Sequence, residues 1–93
     1  MYYHLSIHRP VPGARDALVA SMHRFGAALE GAPGLISVHT LEDAGDGVLV
    51  GLALWESEDA FRASVHLARE AVADDPFDEW EAGPVQGFGL AEA

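Results

Sequence analysis

The chain has 93 residues, no cysteine and a formal net charge of −10, from 15 acidic against 5 basic side chains. That length makes one domain, residues 1–93, with a single modest core, and the 49% apolar share makes it globular rather than disordered. The charge excludes nucleic acid and anionic membrane surfaces as partners, and the missing thiols exclude disulfides, thiolate catalysis and Cys-ligated metals.

In residues 2–8, Tyr2, His4, Ser6 and His8 alternate with Tyr3, Leu5 and Ile7, the period of a half-buried strand. Pro10 and Pro12 end it, and Gly13 releases the chain into a helix predicted from about 14 to 30. There Leu18, Met22, Phe25 and Leu29 form one apolar stripe, and Gly31, Pro33 and Gly34 close the helix. A second strand follows over 35–42, with Ile36, Val38 and Thr40 opposed to Ser37, His39 and Leu41. Asp43-Ala44-Gly45-Asp46-Gly47 reads as a hairpin turn.

The third strand, 48–55, is apolar at every position, so both of its faces require cover. Ser57 is the expected N-cap of a second helix, with Glu58 and Asp59 at its positive end and Phe61, Val65, Ala68 and Val72 as its stripe. Asp74-Asp75-Pro76 breaks that helix, Phe77-Asp78-Glu79-Trp80 reads as a short turn or lid, and residues 84–90 form a glycine-weakened fourth strand. The order β-α-β-β-α-β predicts an α+β, ferredoxin-like fold, a four-stranded antiparallel sheet with two helices on one face. The helices cover only that face. A second copy of the chain is the simplest cover for the other, which predicts a homodimer.

Five histidines are the first candidates for chemistry. His23 and His66 lie about 140° around their helices from the apolar stripe and are expected in solvent. His4, Ser6 and His8 share one face of the first strand, and two readings of it stay open. In one, His8 is exposed at the strand end and His4 is satisfied by a hydrogen bond. In the other, the face looks into a cavity between sheet and helices, where small Ser6 and Gly51 leave room for a ligand. His4 and His8 stand about 13 Å apart on an extended strand, too far to share one ion, so no metal site is expected. Trp55 and Trp80 are candidates to stack on a flat ligand, or to pack the core or a subunit contact. Asp74, Asp75, Glu79 and Glu81 read as a solvated breaker. No phosphate loop or nucleophile elbow is present.

Pro12-Gly13, Pro33-Gly34, Leu52-Ala53-Leu54-Trp55-Glu56-Ser57 and the following Glu58-Asp59-Ala60-Phe61 together resemble the antibiotic-biosynthesis monooxygenase family, over nearly the whole chain. The resemblance implies a dimeric α+β barrel. Members of that family include cofactor-independent oxygenases of quinols and aromatic polyketides, haem-degrading enzymes, and proteins without known activity. The haem-degrading members carry an Asn on the first strand and a Trp and a His on the second helix. Ser6, Ser64 and Asp74 stand there in this chain, so haem cleavage by that route is not expected. The aromatic oxygenases use a pocket of Tyr, Trp, His and Asn, and this chain has no asparagine. The implied function is a cofactor-free oxygenase acting on a small aromatic or quinol, with His39 or His4 removing a phenolic proton. Trp55, Phe61, Phe25, Met22, Ser6 and Trp80 would line its pocket. The alternative is a non-catalytic dimeric module that binds a small apolar ligand or serves in stress.

Overall fold

Prolines and glycines mark the element boundaries, and the computed structural model, which describes residues 1–93, follows them closely. The elements are β1 (Tyr2–His8), α1 (Arg15–Ala28), β2 (Leu35–Glu42), β3 (Leu49–Trp55), α2 (Glu58–Ala71), α3 (Phe77–Trp80) and β4 (Gln86–Leu90). The first helix is a little shorter than its sequence pattern predicts, and the residues on either side form turns. The fourth strand begins at Gln86 rather than Pro84, a residue with no N–H to give a ladder. The lid segment is a single helical turn, α3. Its Phe77 and Trp80 rings meet edge to face at 5.9 Å.

The sheet order is β2-β3-β1-β4, all antiparallel. The β2–β3 hairpin is closed by its aspartates: Asp43 Oδ1 accepts from Gly45 N at 2.8 Å and Asp46 Oδ1 from Val48 N at 3.1 Å. Ser57 caps α2 as expected, its Oγ accepting from Ala60 N at 3.1 Å. Gly34 enters β2 with φ +84°, and a Cβ there would stand 2.6 Å from Ala60 Cβ. Only glycine lets the start of β2 pass so close to the first turn of α2.

Strand parity fixes what each face carries. Leu49, Ala53 and Trp55 of β3 are buried, and a Cβ on Gly51 would meet Met22 of α1, so these positions face the helices. Leu29, Ala53, Trp55 and Ala68 form the core, with Tyr2, Phe25, Val38 and Phe61 packed around them. The opposite face carries Val50, Leu52 and Leu54. Their register partners are Ile7, Leu5 and Tyr3 on β1, and Phe88 and Leu90 of β4 lie beyond these. No helix covers this face, and Leu41, Phe88 and Leu90 are each more than 40% exposed on it.

Asp75 is not the solvated breaker that its sequence context suggests. It accepts from Ser21 Oγ at 2.6 Å and from both terminal nitrogens of Arg24, which pins the end of α2 to α1. No helix is long and apolar enough to cross a membrane.

Candidate functional site

The α1 stripe is incompletely filled where it crosses the middle of the sheet. Leu18 and Leu29 at the ends of the α1 stripe are buried, whereas Met22 and Phe25 between them are only half-buried. They border a cavity of about 260 Å³ between the sheet and the helices. Small residues hollow it out: Gly51 and Gly87 flank Ser6 on its two neighbouring strands, and Ala53 and Gly89 flank His4. All the helix-side positions of β4 are thus glycine. The walls are Met22, Phe25, Val38, Val65, Val72 and Phe77, and the polar groups of the floor are His4 and Ser6.

His4 is held by stacking rather than by a hydrogen bond. Its ring lies on Phe61, with centroids 4.6 Å apart and planes inclined by 29°. Burial, and then the charge of Arg69, push its pKa below the ordinary 6.5, so the imidazole is neutral at pH 7. Arg69, from α2, is the one arginine lining the cavity.

Ser6 belongs to a hydrogen-bonded chain. Its Oγ is 3.0 Å from His8 Nε2, and His8 Nδ1 is 2.6 Å from Glu81 Oε2. The histidine and glutamate side chains are only 12% and 5% exposed. The second oxygen of Glu81 accepts from Arg9 N at 3.1 Å, and Ala82 N donates to Arg9 O at 2.7 Å. The segment after α3 therefore pairs with the end of β1 and seats Glu81 against His8. His8 is not exposed at the strand end, and Glu81 is no part of a solvated breaker.

The family model for antibiotic biosynthesis monooxygenases matches residues 1–82. The chain belongs to the antibiotic biosynthesis monooxygenase family. Solved structures share the fold along almost the whole chain. Rv0793 from Mycobacterium tuberculosis superposes with a TM-score of 0.84 at 23% identity, covering 99% of this chain and 94% of that one. PA3566 from Pseudomonas aeruginosa gives 0.81 at 13% identity, with 99% and 93% covered. A Streptomyces coelicolor monooxygenase from the gene ActVA-Orf6, in complex with the ligand nanaomycin D, gives 0.76 at 18% identity, with 99% and 87% covered. None of the curated proteins matches.

Within this antibiotic biosynthesis monooxygenase domain, four of the expected site residues, His4, Ser6, Met22 and Phe25, come together on the cavity. Phe61 stands behind His4 as its stacking partner. Trp55 does not line the cavity. It is wholly buried in the core, 6.0 Å from Phe61 edge to face, and its Nε1 has no acceptor. Trp80 packs on Phe77 outside the cavity. His39 borders the cavity at the edge strand, but its register partner is Leu52, on the face away from the helices, and its Nε2 pairs with Ser37 Oγ at 3.0 Å. His39 and His4 therefore present their rings to opposite sides of the sheet. Sequence reasoning missed Arg69, Ser21 and the Glu81–His8 pair; a cation on an otherwise polar helix face and an acid 73 positions from its histidine carry no local signal. No group of side chains is arranged to hold a metal ion.

Proposed function

We propose that the chain is a cofactor-independent oxygenase that binds a small planar aromatic or quinol in the cavity between sheet and helices. The observation that carries this reading is the cavity itself: an apolar slot with two adjacent polar groups, His4 and Ser6, on one wall and a single cation, Arg69, at its side. Apolar walls take the ring faces, and the polar groups take one or two hydroxyls. The ligand-bound Streptomyces coelicolor relative lends support, as a monooxygenase of the same fold that accepts an organic ligand.

The chemistry asks little of the protein. Removing a phenolic proton makes the ring electron-rich enough to reduce dioxygen directly. At an activated ring methylene, dioxygen forms a carbon–oxygen bond to give a hydroperoxide, and loss of water leaves a carbonyl. One molecule of dioxygen is consumed, one oxygen atom stays on the ring, and the other leaves as water. The protein must orient the ring, accept the proton and keep bulk water away. Neutral His4, stacked on Phe61, is placed to orient a hydroxyl. His39, facing the other side of the sheet, is not favoured as the base.

The same reading includes a homodimer joined through the open sheet faces. The uncovered apolar face, with Leu41 beside Val50 and the row Leu52, Leu5 and Phe88 next to it, supports it. The test is oxygen consumption with anthrone as substrate. One dioxygen consumed per anthrone, unaffected by a chelator, is the expected result. Tight ring binding without oxygen uptake would overturn the enzyme reading and leave a binding module.

A further inference from the structure

We propose that Ser6, His8 and Glu81 form a proton relay whose cavity end is the Ser6 hydroxyl, and that this relay, not His4 or His39, takes the proton of a bound phenol. The inference rests on the reading of the cavity as a site for a phenolic ring.

The donor order of the chain follows from its last member. A carboxylate can only accept, so the 2.6 Å contact puts a proton on Nδ1, and in the neutral imidazole, the form that can take a proton, Nε2 carries the lone pair. Ser6 must then donate its O–H to Nε2 at 3.0 Å, and the remaining lone pairs of its oxygen accept from the cavity. A phenol entering the cavity donates its hydroxyl to Ser6 Oγ. When the proton moves, the phenol O–H breaks and a Ser6 O–H forms, while the original Ser6 proton passes to His8 Nε2. The result is an imidazolium bonded to Glu81 on one side and donating to Ser6 on the other. The new Ser6 proton points back at the phenolate. The hydroxyl thus reverses its polarity toward the cavity as His8 changes charge, accepting from the phenol and donating to the phenolate.

The surroundings fit that task. Gly51 and Gly87 leave Ser6 uncovered on both neighbouring strands, and a Cβ at 51 would lie 2.7 Å from its Oγ. The other titratable or cationic groups of the cavity are His4, which burial and Arg69 keep neutral, Arg69 itself, and His39 at the edge. Across β3 the register partner of His8 is Leu49, so Glu81 is its one acidic partner. An imidazolium formed at His8 is therefore paired at once, whereas one formed at His4 would face Arg69. A nucleophilic role for Ser6 fits less well, because the strand N–H groups around it are committed to the ladder and leave no donor pair for an oxyanion.

Ser6 is the residue that touches the ligand; His8 and Glu81 act through it. The test follows the ionisation of 4-nitrophenol, a phenol whose two protonation states differ in colour, on the intact protein and on Ser6→Ala, His8→Gln, Glu81→Gln and His66→Ala. In the unaltered protein the bound phenol is expected to titrate about one pH unit below the free phenol, a roughly tenfold shift toward phenolate. Ser6→Ala and His8→Gln should bind the phenol and lose the shift. Glu81→Gln should lose most of it, and His66→Ala, at an exposed position of α2 away from the cavity, should keep it. Glutamine at positions 8 and 81 retains hydrogen-bonding capacity, so folded variants remain available even if alanine there unfolds the protein. Binding without a shift, or a shift that survives His8→Gln, overturns the relay and leaves the phenol site standing. Absence of binding overturns both. Covalent labelling of Ser6 by a fluorophosphonate overturns the relay in favour of acyl transfer.

Discussion

Replacing Gly51 with alanine separates the space around Ser6 from the stability of the sheet. The added Cβ would lie 2.7 Å from Ser6 Oγ and 3.6 Å from Met22 Cε. The second contact is ordinary van der Waals packing; the first cannot persist. Ser6 Oγ ends a short side chain and can turn to another staggered well, at the expense of its 3.0 Å bond to His8 Nε2. Losing that bond costs about 0.5–1.5 kcal/mol, and alanine in a strand interior recovers about 0.5–1 kcal/mol over glycine. The net change in folding free energy is expected to stay within about 1 kcal/mol, read from the urea midpoint at unchanged slope by tryptophan fluorescence. The ionisation of a bound phenol should nevertheless fall to that of Ser6→Ala. In a Ser6→Ala background the clash is gone, and the same Gly51→Ala change should stabilise by about 0.5–1 kcal/mol. A loss beyond about 3 kcal/mol in the single variant exceeds ordinary overpacking and would refute the reasoning that Ser6 yields.

Ser57→Ala removes the acceptor for Ala60 N and should cost about 1 kcal/mol in chemical denaturation, whereas no measurable loss would show that the cap is idle. The lowered pKa of His4 gives a signed pH dependence: the unfolded chain binds the proton more readily, so stability falls as pH drops below the ordinary 6.5 and levels off once the folded value is passed. His4→Gln should flatten that slope in denaturation series at several pH values. Sedimentation at micromolar concentration should find a dimer that Leu52→Arg, on the open sheet face, converts to a folded monomer; a monomeric unaltered protein would contradict the homodimer. His23→Ala and His66→Ala, both at exposed helix positions, should each shift stability by less than about 0.5 kcal/mol.

The element order was legible because its signals are local: the alternation of β1, the cap at Ser57, the aspartate-glycine hairpin and the stripe of α2 each lie within a few residues. The site was legible in half. His4 and Ser6 share a parity that any strand imposes, and Met22 and Phe25 share a helical stripe. Which face of β2 meets the helices was not legible, because Val38 on one side and Leu41 on the other are both apolar. His39 hung on that choice. Trp55 reads equally well as core or as ligand platform until the register sets it beside Leu35 and Tyr2. The His8–Glu81 pair depends on the backbone after α3 returning to the end of β1, a long-range closure that nothing in the run of acids from Asp74 to Glu81 announces.

Arg69 has a consequence for traffic into the cavity. Arg15, Arg24 and Arg62 are each paired with a carboxylate, and of the two arginines that are not, Arg9 and Arg69, only Arg69 lines the cavity, so a chain of net charge −10 presents a negative field at long range and one cation at the cavity. A ring that is already an anion meets repulsion before it meets the arginine. A neutral ring meets neither, and acquires its charge where a cation is within reach. On the proposed reading, arrivals are sorted by ionisation state before they are sorted by shape. Salt shortens the long-range field to about 10 Å at 0.1 M. Capture of anionic rings should accordingly quicken as salt is added, opposite in sign to electrostatically steered association, while capture of neutral rings stays level.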